Sequence, residues 1–460
     1  MDYQQCTHLL TTMHENPGRI PRGVRQANVS KLLEALGHPE RDLRGMLVVG
    51  TNGKGSTCAF AVSAVAAAGG RVGSMPSPHL QEPRERIRVD GIPVTRGEYA
   101  SAFAEVWDAI ERHGLPVLSQ GVFAASAAVH FQRAGVGLAV AEASIGGSRA
   151  AAAELGMDVK VVTSVGLDHT RLLGDSLAKI ARAKIEAVRD GDHVVLGPLE
   201  PEAAATAQEI CDERNGLSVW RVGHEVRYTA RTTPGAAGPM TLVDVVTPRG
   251  VHRDLPCPLA GAHQHRNLAT AIAAVDALTD RGHIGPPDAG QLRARLAATR
   301  WPGRLELIRG AQLDGWSGRV LLEGATNPQG VTTVAPEILR LAQAPAQDQD
   351  QDRAHVGGAS GPPVLVFAAM DDKDAPGMLV PLPSHWPLVL TRTDSHRAAA
   401  PAALHRRLSP GRTGPCLTAE NAPTALHRAA ELAGPGGLIV VFGSLRLVGE
   451  TRNALGLPPG

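Results

Sequence analysis

The chain has 460 residues, with 46 basic side chains balanced by 45 acidic ones and an aromatic content of only 3%. Its length calls for two or three domains rather than one core, and its near-zero net charge points away from a nucleic-acid groove or an acidic membrane surface as partner. Five scattered cysteines without a C-x-x-C pair, a polar N-terminus from Met1 to Gln5 and no apolar run of about 20 residues point to a reduced, cytoplasmic protein that does not span a membrane.

The first strong element is a buried strand over 46–49, which breaks into Gly50-Thr51-Asn52-Gly53-Lys54-Gly55-Ser56-Thr57 and then an alanine-rich helix over 58–68. Glycines in such a loop let backbone N–H groups turn inward around phosphate oxygens, and the helix start adds its positive end. Lys54 supplies a cation for the β and γ phosphates and Ser56 a hydroxyl for Mg²⁺, although the glycine spacing departs from the usual P-loop pattern. A glycine-rich turn that merely joins strand to helix is the plain alternative.

Strands follow over 137–141, 159–164 and 193–196, alternating with helical stretches as in a parallel sheet covered on both faces. The first leaves Glu142 at its C-terminal end, the edge where open α/β sheets bind ligands; there it is either a metal ligand or a solvated residue. The second leads to Asp168 and His169, and His169 can serve a second metal. Lys184 lies in a helical pattern over 177–188 and, taken alone, reads as a surface lysine.

A turn-rich β segment over 218–251 and a helix over 267–279 come next, then the Pro/Gly-containing stretch 299–304, which reads as an interdomain hinge. A second α/β series has strands over 319–322, 364–369, 388–391 and 438–442 and a helix over 422–433. Residues 342–363, rich in Gln, Asp, Ala, Gly and Pro, read as a mobile surface insertion. His263 and His265 lack the Cys or carboxylate company of a metal site and read as polar packing.

In order, the chain also carries Ser77-Pro78-His79-Leu80 with Glu85-Arg86-Ile87, Leu173-Gly174-Asp175, Gly261-Ala262-His263-Gln264 with Asn267, Pro302-Gly303-Arg304-Leu305-Glu306, Asp372-Lys373-Asp374, and Gly443-Ser444-Leu445 with Leu447-Val448-Gly449-Glu450. With the glycine-rich loop, these blocks resemble the folylpolyglutamate synthase/dihydrofolate synthase family, a branch of the Mur ligase superfamily, over about residues 20–452. The resemblance implies an α/β fold with an N-terminal P-loop ATPase domain of Mur-ligase type (1–298), a hinge (299–303) and a smaller C-terminal Rossmann-like domain (304–460) that closes over the nucleotide.

By the same resemblance, ATP and Mg²⁺ are the cofactors. Thr51, Asn52, Gly53, Lys54, Gly55, Ser56, Thr57, Asn267, Arg304 and Glu323 bind nucleotide; Ser56, Ser77 and Glu142 hold one Mg²⁺ and His169 a second; Lys184 matches a lysine that is carbamoylated in the family. Lys54, Lys184 and His169 carry the catalysis, and Pro78, His79, Phe123, Thr326 and Asn327 face the substrates, a small carboxylic acid and an amino acid. The implied reaction is ATP-dependent amide formation through an acyl phosphate by a monomer.

The substrate loops depart from the family pattern. Gly146-Gly147 is followed by Ser148-Arg149-Ala150-Ala151-Ala152-Ala153, without the acid and amide usual there; Phe123 is followed by Ala124 rather than a carboxylate; and Thr326 in Glu323-Gly324-Ala325-Thr326-Asn327-Pro328 replaces a histidine. Three readings follow: glutamate joined to dihydropteroate or a folate; a diverged ligase joining another acid, such as an aryl acid, to an amino acid; or a nucleotide-binding protein without ligase activity.

Overall fold

The computed structural model describes residues 1–15, 24–148, 150–234, 239–343 and 361–460. The chain divides into two compact units, Met1–Arg300 and Trp301–Gly460. Most of the predicted insertion, 344–360, lies outside the described residues.

Among the described residues, the first unit is built on an eight-stranded sheet: β1 (Arg44–Val49), β2 (Val72–Met75), β3 (Arg88–Val89), β4 (Ile92–Pro93), β5 (Leu138–Glu142), β6 (Val159–Val162), β7 (His193–Leu196) and β8 (Ser218–Arg221), in the spatial order β4-β3-β2-β5-β1-β6-β7-β8. From β2 to β8 the pairings are parallel, and β3 and β4 extend one edge in antiparallel fashion. The inner strands are continuous aliphatic runs such as Met46-Leu47-Val48-Val49, all nearly inaccessible, as expected of strands covered by helices on both faces.

Register decides where the site lies. Val48 of β1 pairs with Glu142 of β5, and Val49 pairs with Val162 of β6. The loop after β1 is therefore flanked at the C-terminal sheet edge by Glu142 on one side and Thr163-Ser164 on the other. Two helices back this edge: Lys54–Ala66 and His263–Asp280, whose inward faces are mostly small (Ala59, Ala61, Ala64; Ala271, Ala274) and allow close approach.

The β-rich segment predicted over 218–251 splits. Its first strand, β8, joins the main sheet, whereas β9 (Arg227–Thr233), β10 (Met240–Thr247) and β11 (Gly250–Cys257) form a separate antiparallel sheet running past the predicted limit.

The second unit has a six-stranded sheet of β12 (Glu306–Leu313), β13 (Trp316–Leu322), β14 (Val364–Phe367), β15 (Leu388–Leu390), β16 (Cys416–Thr418) and β17 (Leu438–Phe442), ordered β12-β13-β17-β14-β15-β16. Among the described residues of this sheet, only the β12–β13 pairing is antiparallel. Its centre is Val320-Leu321-Leu322, Val364 to Phe367 and Ile439 to Phe442, with the Phe367 and Phe442 rings 5.1 Å apart. The α/β character read from the sequence holds in both units.

Candidate active site

The glycine-rich loop is held in shape by the segment after β6. Thr51 N donates to Ser164 O (2.8 Å), Asn52 N donates to Ser164 Oγ (3.0 Å), and Thr163 Oγ1 donates to Asn52 O (2.7 Å). Thr51 Oγ1 and Gly166 exchange further bonds. Two positions strongly favour glycine. A Cβ on Gly50 (φ +151°) would lie 2.0 Å from Thr163 Oγ1, and one on Gly53 (φ +84°) would lie 2.6 Å from Asn267 Oδ1. Asn267, anticipated from family resemblance alone, thus lies against the loop, its Nδ2 donating to Gln264 Oε1 at 2.9 Å.

Lys54 begins the helix, and its Nζ reaches back to Gly50 O and Thr51 O at 3.1 Å each. Ser56 and Thr57 are buried, and Thr57 Oγ1 has no hydrogen-bond partner among the described residues. A glycine-rich loop at a helix start, with a cation folded back over it and a buried hydroxyl at hand, fits a nucleotide's phosphates.

Lys184 corrects the reading of it as a surface residue. It is 4% exposed, and its Nζ donates to Gly50 O at 2.8 Å. The helical period placed Lys179 and Arg182 correctly in solvent, but the lysine's face turns inward because Gly147 lets the neighbouring loop close on it. Gly147 N donates to Ala183 O (2.8 Å), and a Cβ there would lie 1.9 Å from Lys184 O. Burial, reinforced by the charge of Lys54 and opposed by Asp168, brings the Lys184 ammonium down to about 7.

Glu142 is 6% exposed and accepts from Ser77 N at 3.1 Å, beside the cis Ser77-Pro78 bond. Both line a recess with Met75, Pro76, Arg86, Gln120, Phe123, Ser144, Ala151 and Ala152. His79 packs obliquely on Phe123, ring centroids 6.4 Å apart, and its Nδ1 accepts from Arg86 Nε at 3.1 Å. The Arg86 guanidinium lies 4.1 Å from the Phe123 ring centroid. Glu85 shapes this rim by accepting from Leu80, Gln81 and Glu82 N–H groups. Arg86, Gln120 and Ser144 were missed as site residues; Arg86 lay in a matched block, whereas Gln120 and Ser144 carry no local signal.

His169 occupies a left-handed turn (φ +50°) next to Asp168, its ring Nε2 4.0 Å from Asp168 Oδ2. Among the described residues no group of three His, Cys, Asp or Glu gathers as a metal cage. Ser56, Ser77 and Glu142 instead offer hard oxygens from hydroxyls and one carboxylate, the sparse protein set typical of Mg²⁺ sites completed by phosphate and water.

The remaining candidates lie in the second unit. Glu323 is buried, accepts from Leu305 N at 2.9 Å and lies 3.6 Å from Arg304 Nη1. Burial raises its carboxyl above the usual range, against the pull of Arg304. Asn327 Oδ1 accepts from Gly330 N (2.7 Å) at the start of the helix Pro328–Gln343, and Thr326 is half-buried beside it.

These features define an α/β protein in which a P-loop-like glycine-rich loop and a recess lined by Ser77 and Glu142 lie at one sheet edge. No family model matches the chain. It is 30% identical to the dihydrofolate synthase/folylpolyglutamate synthase of Mycobacterium tuberculosis over 465 residues, covering 94% of this chain and 90% of the relative. It is 31% identical to the probable bifunctional folylpolyglutamate synthase/dihydropteroate synthase of Haloferax volcanii, spanning 98% of this chain but only 50% of that relative. Among solved structures it superposes on Mycobacterium tuberculosis folylpolyglutamate synthase complexed with ADP with a TM-score of 0.83 at 28% identity, covering 100% of this chain and 99% of the other. Escherichia coli FolC in complex with DHPP and ADP gives 0.80 at 25% identity, with 98% and 97% covered. The chain belongs to the folylpolyglutamate synthase/dihydrofolate synthase family.

Proposed function

We infer that the chain is an ATP-dependent, ADP-forming ligase that activates a carboxylic acid as an acyl phosphate and joins it to an amino acid, glutamate onto dihydropteroate or a folate. The observation that carries this reading is the meeting of two groups at one sheet edge: the loop with Lys54 and Lys184 on Gly50 O, and the recess closed by Ser77 and Glu142. The relatives add weight, being named for these syntheses, and one solved relative is described as a complex with DHPP and ADP.

In this reading the loop's N–H groups and Lys54 hold the triphosphate while the acid's carboxylate oxygen bonds to the γ-phosphorus and the bond to the ADP oxygen breaks. Asn267 steadies the nucleotide against Gly53. Ser56, Ser77 and Glu142 would hold Mg²⁺, with His169 beside a second ion, and the bound metal would supply charge compensation for the phosphoryl group. A neutral amine then attacks the acyl carbon and phosphate leaves. Lys184 carries a carbamate, which converts a buried cation into an anionic ligand. Arg304 and Glu323 serve the nucleotide, and Thr326 and Asn327, with Pro78, His79 and Phe123, serve the substrates. The protein works as a monomer in the cytoplasm, in keeping with five free cysteines; among the described residues no helix is long and apolar enough to cross a membrane.

One observation favours a second acid. Ala152 lines the recess where the family pattern has a polar side chain, so this part of the wall offers apolar contact rather than a hydrogen bond, as an aryl acid without a pterin's donors requires. Product masses from Mg²⁺, ATP and L-glutamate with dihydropteroate, tetrahydrofolate or a panel of aryl acids separate the readings. A glutamyl increment on a pterin supports the first, an increment on aryl acids alone supports the second, and ATP binding with no product under any acid contradicts both.

A further inference from the structure

The helix His263–Asp280 meets the glycine-rich loop near its start, where Asn267 Oδ1 fills the space that a side chain on Gly53 would take. About 27 Å of rise separates its two ends. Its far end is not left loose. Just beyond the last turn, Arg281 Nε lies 2.9 Å from Asp158 Oδ2, and His283 Nε2 is 2.9 Å and 2.8 Å from the two oxygens of the same carboxylate. Arg281 Nη1 also donates to Gly191 O at 2.6 Å.

Asp158 immediately precedes β6, and the opposite end of β6 runs into Thr163 and Ser164, which bind Asn52 of the loop. Helix and strand are therefore joined twice. At one end they meet through the loop, and at the other through Asp158. The helix also packs along its length on the helix Lys54–Ala66 and on β6 and β7; the polar contacts at its two ends add directional constraints that this packing of small side chains lacks.

We propose that Asp158, through Arg281 and His283, is a positioning residue that sets the placement of Asn267 against Gly53 and so the affinity for the nucleotide, from the edge of the sheet opposite the site. Burial alone would raise the Asp158 carboxyl; His283 and Arg281 outweigh it and hold the carboxyl below its usual range, so it stays ionised as the anchor requires. The inference rests on the reading of Asn267 as a nucleotide contact.

The test is a double-mutant cycle on the full chain, with Mg²⁺·ADP affinity measured by calorimetry and melting temperature recorded alongside. Asp158→Ala is expected to raise the Kd roughly 2- to 30-fold, Asp158→Glu is expected to restore most of the affinity, and Asp158→Ala is expected to add nothing in an Asn267→Ala background. A simple packing role would lower the melting temperature equally in both backgrounds. If Asp158→Ala does not fold, Asp158→Asn replaces it in the cycle with the same expected sign. An unchanged Kd for Asn267→Ala overturns the nucleotide role of Asn267 and this inference with it. A weakened Asn267→Ala combined with an Asp158 effect that is absent, or undiminished in the double variant, overturns the inference alone.

Discussion

Lys184 and Lys54 donate to the same acceptor, the carbonyl oxygen of Gly50, at 2.8 Å and 3.1 Å. Burial of Lys184, reinforced by repulsion from the Lys54 ammonium on the same carbonyl, favours loss of its charge. Without the carbamate, folded Lys184 loses its proton near 7, whereas in the unfolded chain it does so near its ordinary 10.5. Between those values the unfolded state binds the extra proton, so stability rises with pH across this window and the full cost is present below about 7. Lys184→Met is expected to flatten the slope, by a few kcal/mol in total, in denaturant titrations at several pH values. An identical slope in the variant would contradict this.

A lysine that is neutral near pH 7 is also a nucleophile. With ¹³C-labelled bicarbonate the protein is expected to show a carbamate resonance that Lys184→Arg lacks. The signal should weaken as pH falls below about 7, where the ammonium returns. A resonance that survives in Lys184→Arg would assign the modification elsewhere.

At Gly53, alanine meets both a left-handed backbone and the Asn267 amide. The conformational cost alone is about 1–2 kcal/mol, which corresponds to roughly a tenfold loss of nucleotide affinity or more. Calorimetry with Mg²⁺·ADP checks it, and wild-type affinity in Gly53→Ala would show that the loop can rearrange freely.

Much of this site was legible because it is local. The strand, glycine loop and Lys54 are contiguous, and Glu142 could be placed at a strand end from the run before it. Burial of Lys184 was not legible, because it depends on Gly147 admitting the loop's backbone to within contact of the helix, a long-range fit that helical periodicity does not encode. The short strands β2, β3 and β4 escaped notice for a similar reason: Val72-Gly73-Ser74-Met75 has little strand preference, and Gly73 is required because a Cβ there would sit 2.7 Å from the Phe131 ring. β12 and β16 escaped because they lie at sheet edges and are mostly only part-buried, which erases the continuous apolar run. The recess residues Arg86, Gln120 and Ser144 come from three separate segments and converge only in the fold.

Glu142→Gln keeps an acceptor for Ser77 N but removes the only carboxylate lining the recess among the described residues. Activity at limiting Mg²⁺ is expected to fall at least about 10-fold, with partial recovery at high Mg²⁺. A Mg²⁺ titration identical to that of the wild type would remove Glu142 from the metal's surroundings.

The activation of an acid by phosphoryl transfer is tested most directly by following its oxygen. With dihydropteroate labelled with ¹⁸O in the carboxylate, Mg²⁺, ATP and L-glutamate, one ¹⁸O is expected in the released inorganic phosphate for each amide formed, with ADP as the other product. Unlabelled phosphate alongside labelled amide, or release of AMP and pyrophosphate, would contradict the acyl-phosphate account.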